Sequence, residues 1–394
     1  MSHLEPRSIL RPRASREDGR VLFIELFFDL VFVFAVTQLS HSLLHHFTIA
    51  GLVETAFLFL AVWWVWIYTT WVTNWLDPQA TSVRLLLFVL MFAGLLLSIS
   101  IPHAFGESGL LFAGAYAFMQ VGRSVFMCCV LRGRHERNYR NFLRITTWLS
   151  VSGALWILGG CVEHEARYAV WGAALLIEYV SPAFGFWTPG LGKSTTADWD
   201  VAGGHIAERC GLFMIIAFGE SLLVTGATVA ELPWTLVNGT AFVTVFAGTI
   251  AMWWIYFNAG AEYASKRIEE SDDPGRLARL AYTYLHLPLV AAVILVAVAD
   301  ENVLQHPLGH ASGLGAFAIL GGPALYLLGN LLFKRAVFGR IAVSRIVAMA
   351  VLGGVAFGYG MLSPLVLSMI ATAALAAVGA WESWLIHRGA IERC

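Results

Sequence analysis

The chain has 394 residues, of which 58% are apolar and only 13% charged, with a mean hydropathy of +0.70 and a formal net charge of −1. A soluble chain of this length would carry two or three domains, but this composition overrides that prior and predicts a polytopic helical membrane protein with no nucleic-acid partner. The five cysteines (Cys128, Cys129, Cys161, Cys210 and Cys394) show no Cys-x-x-Cys and no zinc-ligand spacing with histidine, and His41 and His45, which share a helical face at metal-ligand spacing, lack an assured third ligand, so neither a metal nor any other cofactor is expected, and no disulfide framework.

Residues 1–20 form a polar arm carrying Arg7, Arg11, Arg13, Arg16 and Arg20. The apolar stretch that follows, 21–47, is too long for a signal-peptide core and reads as a retained first span. It carries Glu25 and Asp29 at i, i+4, which puts both carboxylates on one helical face, with Thr37 and Gln38 further along. An acid at bilayer depth costs a few kcal/mol unless paired, protonated or wetted, so both are functional candidates. Glu25 also has a plain structural reading, as an acid complementing the helix N-terminus. Span 2, 51–75, is filled with Trp63, Trp64, Trp66, Tyr68, Trp71 and Trp75, a run that reads as tight aromatic packing, as an interfacial belt, or as a wall for an organic cation. Spans follow at 82–101, 108–131, 140–161 and 166–188. Arg123 in the fourth is the expected counter-charge for one of the acids, with a packing salt bridge as the alternative, and Glu178 in the sixth is a further candidate.

A linker, 191–206, leads to spans at 207–230, 233–258, 278–300, 312–333, 340–361 and 363–386, and a short tail, 389–394. Basic residues cluster on alternate connections: Arg132, Arg134, Arg137 and Arg140, then Lys193, then Lys266, Arg267 and Arg276, then Lys334 and Arg335. Short Lys/Arg-rich loops stay inside, which predicts an inner-membrane protein with arm, linker, tail and both termini cytoplasmic.

The second half repeats the first. Glu208 lies 183 positions after Glu25, Met252-Trp-Trp-Ile-Tyr256 lies 188 after Trp64-Val-Trp-Ile-Tyr68, Arg279 lies 195 after Arg84, and Arg345 lies 201 after Arg144. Slowly growing, ordered offsets predict two parallel six-span repeats, 21–190 and 207–388, with helices 1 and 7 in equivalent places. Glu220 is the deepest acid of the second half, and its repeat counterpart is Thr37.

Histidines and acids gather at the other ends of the spans: His41, His45, His306 and His310 with Glu54, Asp300 and Glu301 among them. They predict either a titratable outer vestibule or polar residues that simply face water. No phosphate loop, Rossmann fingerprint or nucleophile elbow is present. Asp29, Glu220, His205 and His286 form a conceivable acid/base set, but no enzyme is expected.

The run Glu25-Leu-Phe-Phe-Asp-Leu-Val-Phe-Val-Phe-Ala-Val-Thr-Gln-Leu-Ser-His41, with Glu208, Gly219-Glu220-Ser221 and Tyr284-Leu-His286-Leu-Pro288, resembles the bacterial low-temperature-requirement A family from about Val21 to His387. That resemblance implies a multi-pass membrane protein linked to growth in the cold, and brings no biochemical activity with it. More distantly, Glu25-x-Phe27-x-Asp29-x-Val31-Phe32-x-x-Ala35-x-Thr37-x-Leu39 is similar to the first helix of the potassium channels marked by a Phe-Ser-Asp motif. This implies Asp29 as a packing or gating acid, with Val33, Val36 and Ser40 near a conduction path. Phe28 stands in place of the serine, and Leu30 in place of the usual glycine.

The sequence thus predicts an all-α bundle of about twelve transmembrane spans. It passes a small cation or a proton-coupled solute using Glu25, Asp29, Thr37, Gln38, Glu208 and Glu220, with Arg123 and Glu178 as counter-charges. The alternative is a non-transport protein that supports or senses the bilayer in the cold. Lipid is the expected surroundings, and a homodimer is the expected assembly if the channel resemblance extends to quaternary structure.

Overall fold

A computed structural model describes residues 9–11, 20–196, 199, 201–258 and 261–388. Arg7, Arg13 and Arg16 of the arm and the tail 389–394 lie outside the described residues. Helix makes up 81% of the structure, and the described residues hold no strand, only isolated bridges between Leu10 and Leu76 and between Thr188 and Gly192. This is what long apolar runs without breakers must do in hydrocarbon, where each backbone N–H and C=O needs a partner within its own segment.

The helices are α1 (Phe23–His45), α2 (Ile49–Trp75), α3 (Thr81–Ser100), α4 (Gly109–Leu131), α5 (Glu136–Cys161), α6 (His164–Val180), α7 (Gly203–Glu231), α8 (Leu236–Phe257), α9 (Ala261–Glu269), α10 (Pro274–Leu277), α11 (Leu287–Gln305), α12 (Gly313–Phe338), α13 (Val343–Ala356) and α14 (Pro364–His387). A π-helical stretch, Ala278–Tyr284, joins α10 to α11. Among the described residues, ten segments are long and apolar enough to cross a membrane. The two remaining predicted spans, the sixth and eleventh, are α6 with 17 residues and α13 with 14. At about 1.5 Å per residue both fall short of a core about 30 Å thick.

The chain divides into two compact units. Among the described residues the first comprises the chain to Leu39, Glu54–Arg209 and Asp272–Arg276, and the second comprises Ser40–Val53, Cys210–Ser271 and the chain from Leu277 onward. In the first unit α4 packs on α3 and α5, and α5 on α6. Helix α3 shows the membrane pattern plainly: Val83, Leu87, Leu90, Ala93, Gly94 and Leu97 are buried, while Leu85, Phe88, Val89, Phe92 and Ile99 are exposed at helical spacing. An apolar stripe of that kind suits lipid and would be a liability in water.

The tryptophans of α2 settle into packing. Trp63, Trp64 and Trp66 are at most 1% exposed, Trp64 stacks on Tyr179 with centroids 4.0 Å apart, and Trp63 lies 5.0 Å from Trp66. Burial at this density against neighbouring rings favours the packing reading of the run. A second aromatic cluster joins Phe112, Tyr116, Trp156 and Trp171. Close approach of α5 and α6 depends on Gly159, where a Cβ would lie 2.3 Å from Trp171 Cδ1.

In the second unit α8 packs on α14, and α12 on α11, α13 and α14. Ser312 caps α12 by accepting from Gly315 N at 3.0 Å, and Gly339 ends it with a φ of 70°, the left-handed conformation that glycine adopts without penalty. The Tyr284-Leu-His286-Leu-Pro288 motif is the joint of a discontinuous span. His286 bonds Ala281 O at 2.9 Å and Tyr256 Oη at 2.8 Å. A carbonyl only accepts, so Nδ1 carries the proton and Nε2 accepts from the tyrosine.

Candidate functional site: a buried charge network at the start of α1

Helix α1 begins at Phe23, so Leu22 is its cap and Glu25 its third residue. Glu25 Oε2 reaches back to accept Leu22 N at 2.9 Å, the reciprocal half of a capping box. The local sequence thus places Glu25 at the helix mouth, and the packing then encloses it. Its Oε2 also accepts from Arg11 Nη2 at 3.1 Å, and its Oε1 from His205 Nε2 at 2.8 Å and Arg209 Nη1 at 3.2 Å. One turn deeper, Asp29 Oδ1 accepts from Arg209 Nη2 at 2.6 Å and from the Trp66 indole at 2.8 Å. Asp29 Oδ2 and Arg209 Nε are buried and have no hydrogen-bond partner among the described residues. Glu25, Asp29, His205 and Arg209 are all 0% exposed.

Arg209 is therefore a fork whose two amino nitrogens hold the two acids separately, a geometry that a lysine cannot reproduce. Its guanidinium also lies 5.9 Å from the Trp66 ring centroid. Arg11 reaches the site because Ile9–Arg11 pairs with the end of α2: Arg11 N donates to Trp75 O and Asp77 N to Ile9 O, both at 2.8 Å. Asn74 fixes the imidazole. Its Oδ1 accepts from Ala202 N at 3.0 Å, and its amide nitrogen faces Ala202 O at 2.8 Å and His205 Nδ1 at 3.2 Å. Asn74 thus donates to Nδ1, leaving Nε2–H to donate to Glu25. Two carboxylates and two guanidinium groups then balance around a neutral imidazole, so the net charge of the cluster is zero.

A model of the family described as bacterial low temperature requirement A protein matches residues 20–380. The chain belongs to that family. It is also 42% identical, over 326 residues, to the uncharacterized protein RA0937 of Rhizobium meliloti (strain 1021), covering 82% of this chain and 79% of that one. No solved structure matches. Family and helices together make this a multi-pass membrane protein of the low temperature requirement A type.

The other predicted residues of this family member fall as follows. Glu208 is exposed and accepts from Val21 N at 3.1 Å, outside the buried cluster, while its neighbour Arg209 enters it. Thr37 is half-buried and donates to Val33 O at 3.1 Å; Gln38 is half-buried, and Val36 and Ser40 are buried. Arg123 is not the counter-charge of the α1 acids, because Arg209 takes that place. Arg123 instead donates to Val65 O at 3.1 Å, Thr69 Oγ1 at 2.7 Å and Gln120 Oε1. Gln120 links it to Glu178, whose oxygens accept from Tyr116 at 2.5 Å, Gln120 and Trp156 at 3.0 Å each, and Ser152. Glu178 is thus held by four neutral donors and makes no ion pair among the described residues.

Glu220 is buried in the second unit, on α7. In the same unit His41 and His45 share a cavity of about 390 Å³ with Glu301, Asn302 and Gln305, so part of the cluster of histidines and acids read from the sequence comes together there. Asp300 departs from that expectation: it is 7% exposed and turned into the protein. Sequence reasoning missed Arg209, Arg11, Trp66 and Asn74. The available signal was a basic residue one turn inside an apolar span, which the alignment of Glu208 with Glu25 drew attention away from.

Proposed function

We propose that this low temperature requirement A protein passes a small cation or a proton-coupled solute across the bacterial inner membrane, with both termini cytoplasmic, and that the α1 acids act in that passage. The observation that carries the reading is Asp29. It sits in an apolar helix at 0% exposure, with one oxygen accepting two hydrogen bonds and the other without a partner among the described residues. A carboxylate kept only for packing would be satisfied on both oxygens, since each unpaired buried polar atom costs about 1–3 kcal/mol. A carboxylate that trades Arg209 for a cation or a proton needs a free oxygen. Glu220, on the repeat-related helix, is the second buried acid of the route. Glu220→Gln should abolish pH-driven flux in proteoliposomes while leaving the protein folded; flux at the wild-type rate would remove Glu220 from the account.

A second reading, a non-transport protein that supports the bilayer in the cold, draws on Glu25, which has four donors and is fully satisfied. In that reading the network is a latch joining arm, α1 and the start of α7, and reconstituted protein moves neither protons nor potassium.

A further inference from the structure

Asp300 stands apart from every acid discussed so far. It lies on α11, 7% exposed, and its Oδ2 is buried without a hydrogen-bond partner among the described residues. No ion pair to it forms there either. It lines a cavity of about 20 Å³ together with Gly248 of α8, Ile319 and Pro323 of α12, and Ser368 and Thr372 of α14. A cavity that size admits one water-sized occupant.

The lining is richer in oxygen than its apolar setting suggests. Ser368 and Thr372 are four residues apart on α14, so their hydroxyls share a face. Thr372 donates its proton to Thr244 O at 3.2 Å, which leaves its oxygen lone pairs available. Pro323 lies inside α12 and has no N–H to give Ile319 O, the carbonyl one turn earlier, which helix geometry would otherwise pair. Gly248 completes the packing: a Cβ there would come within 3.0 Å of Thr372 Oγ1.

We propose that this cavity is a binding site for one dehydrated sodium ion, held by the Asp300 carboxylate, the Ser368 and Thr372 hydroxyls and the Ile319 carbonyl. An isolated carboxylic acid in an apolar interior is neutralised either by a proton or by a bound cation, and the oxygen-lined cavity beside Asp300 is what favours the cation. A monovalent ion neutralises one carboxylate, whereas a divalent ion would leave a net charge buried. Hard oxygen donors exclude the soft and nitrogen-loving transition metals, and a backbone carbonyl freed by a proline within a helix is the kind of oxygen that suits an alkali cation. Access is short: Asp300 lies about 7–8 Å from the α11 end by helix rise, and its neighbours Glu301 and Asn302 line the larger cavity with His41 and His45.

This inference deepens the transport reading by naming its cation, yet binding is measurable without flux. Full-length protein in detergent is heated at fixed ionic strength with choline chloride replaced stepwise by NaCl, LiCl or KCl. Sodium should raise Tm by about 2–4 °C at ten times its half-saturating concentration, with KCl giving no more than choline. Ser368→Ala and Thr372→Val should raise the half-saturating sodium concentration several-fold, and Asp300→Asn should abolish the shift. If Asp300→Asn does not fold, the two hydroxyl variants decide. A shift equal in NaCl and KCl, no shift in any salt, or a sodium shift that the variants leave untouched would overturn the assignment. Sodium binding without flux would keep the site and sink the transport reading.

Discussion

Removing Arg209 should expose how unequally its two acids depend on it. Arg209→Met takes the 3.2 Å bond from Glu25 and the 2.6 Å bond from Asp29. Glu25 keeps His205, Arg11 and Leu22 N, whereas among the described residues Asp29 keeps only the Trp66 indole. Breaking a fully buried pair costs about 3–5 kcal/mol, because a charge is left without compensation. Nearly all of that should fall on Asp29. Adding Asp29→Asn to the Arg209→Met background removes the stranded charge, and the double-mutant cycle should return a coupling of about 1–3 kcal/mol. Adding Glu25→Gln instead should recover little, since Gln loses the Arg11 pair as well. Equilibrium unfolding in mixed micelles, followed by tryptophan fluorescence, reads these differences. Additive effects, or a better rescue by Glu25→Gln than by Asp29→Asn, would refute the reasoning.

Three further outcomes follow from neighbouring contacts. Trp66→Phe keeps the ring and deletes the donor to Asp29, so the same unfolding assay should show a loss of about 1–3 kcal/mol, and no loss would mean that the indole bond is idle. Glu178→Gln turns an acceptor oxygen into a donor facing a ring of donors, and should cost a comparable amount, about 1–3 kcal/mol; a variant as stable as the wild type would show that the four donors do not converge on a carboxylate. In the second unit Glu382 is held by Arg345, Ser344 at 3.1 Å and Lys334 at 3.0 Å, with the Arg345 side chain 0% exposed and that of Lys334 16%. Arg345→Met should therefore destabilise by about 3–5 kcal/mol and Lys334→Met by about 1 kcal/mol or less, and the reverse order would contradict the burial argument.

The helices were legible because apolar runs of span length have one solution in hydrocarbon. The shortness of α6 and α13 was less so: Ser181-Pro182 marks the end of α6, a breaker that a span drawn to 188 runs past, whereas α13 gives way at Phe357 with no proline or left-handed glycine at the helix end, and hydropathy alone does not show where it stops. Asp29 was legible as an acid out of place, but its partner was not. Arg209 follows an acid that aligns with Glu25 in the repeat expected from the sequence, and only three-dimensional packing decides which of two adjacent charged residues turns inward. Arg11 was further from view, because its place depends on a bridge between Leu10 and Leu76 across 66 residues of chain. Asp300 misled in the opposite direction: beside Glu301 and near His306 it read as a rim residue, and the helical rotation between adjacent positions sends the two carboxylates to opposite surroundings.

The central claim is that buried acids serve a route through the membrane. Its most direct test is flux in proteoliposomes holding the purified protein, reading proton and potassium movement in parallel, with sodium as a third arm and Asp29→Asn beside the wild type. The account predicts ion or proton movement by the wild type and its loss in a folded Asp29→Asn. Movement of none of these ions by folded wild-type protein, or full movement by Asp29→Asn, would contradict it.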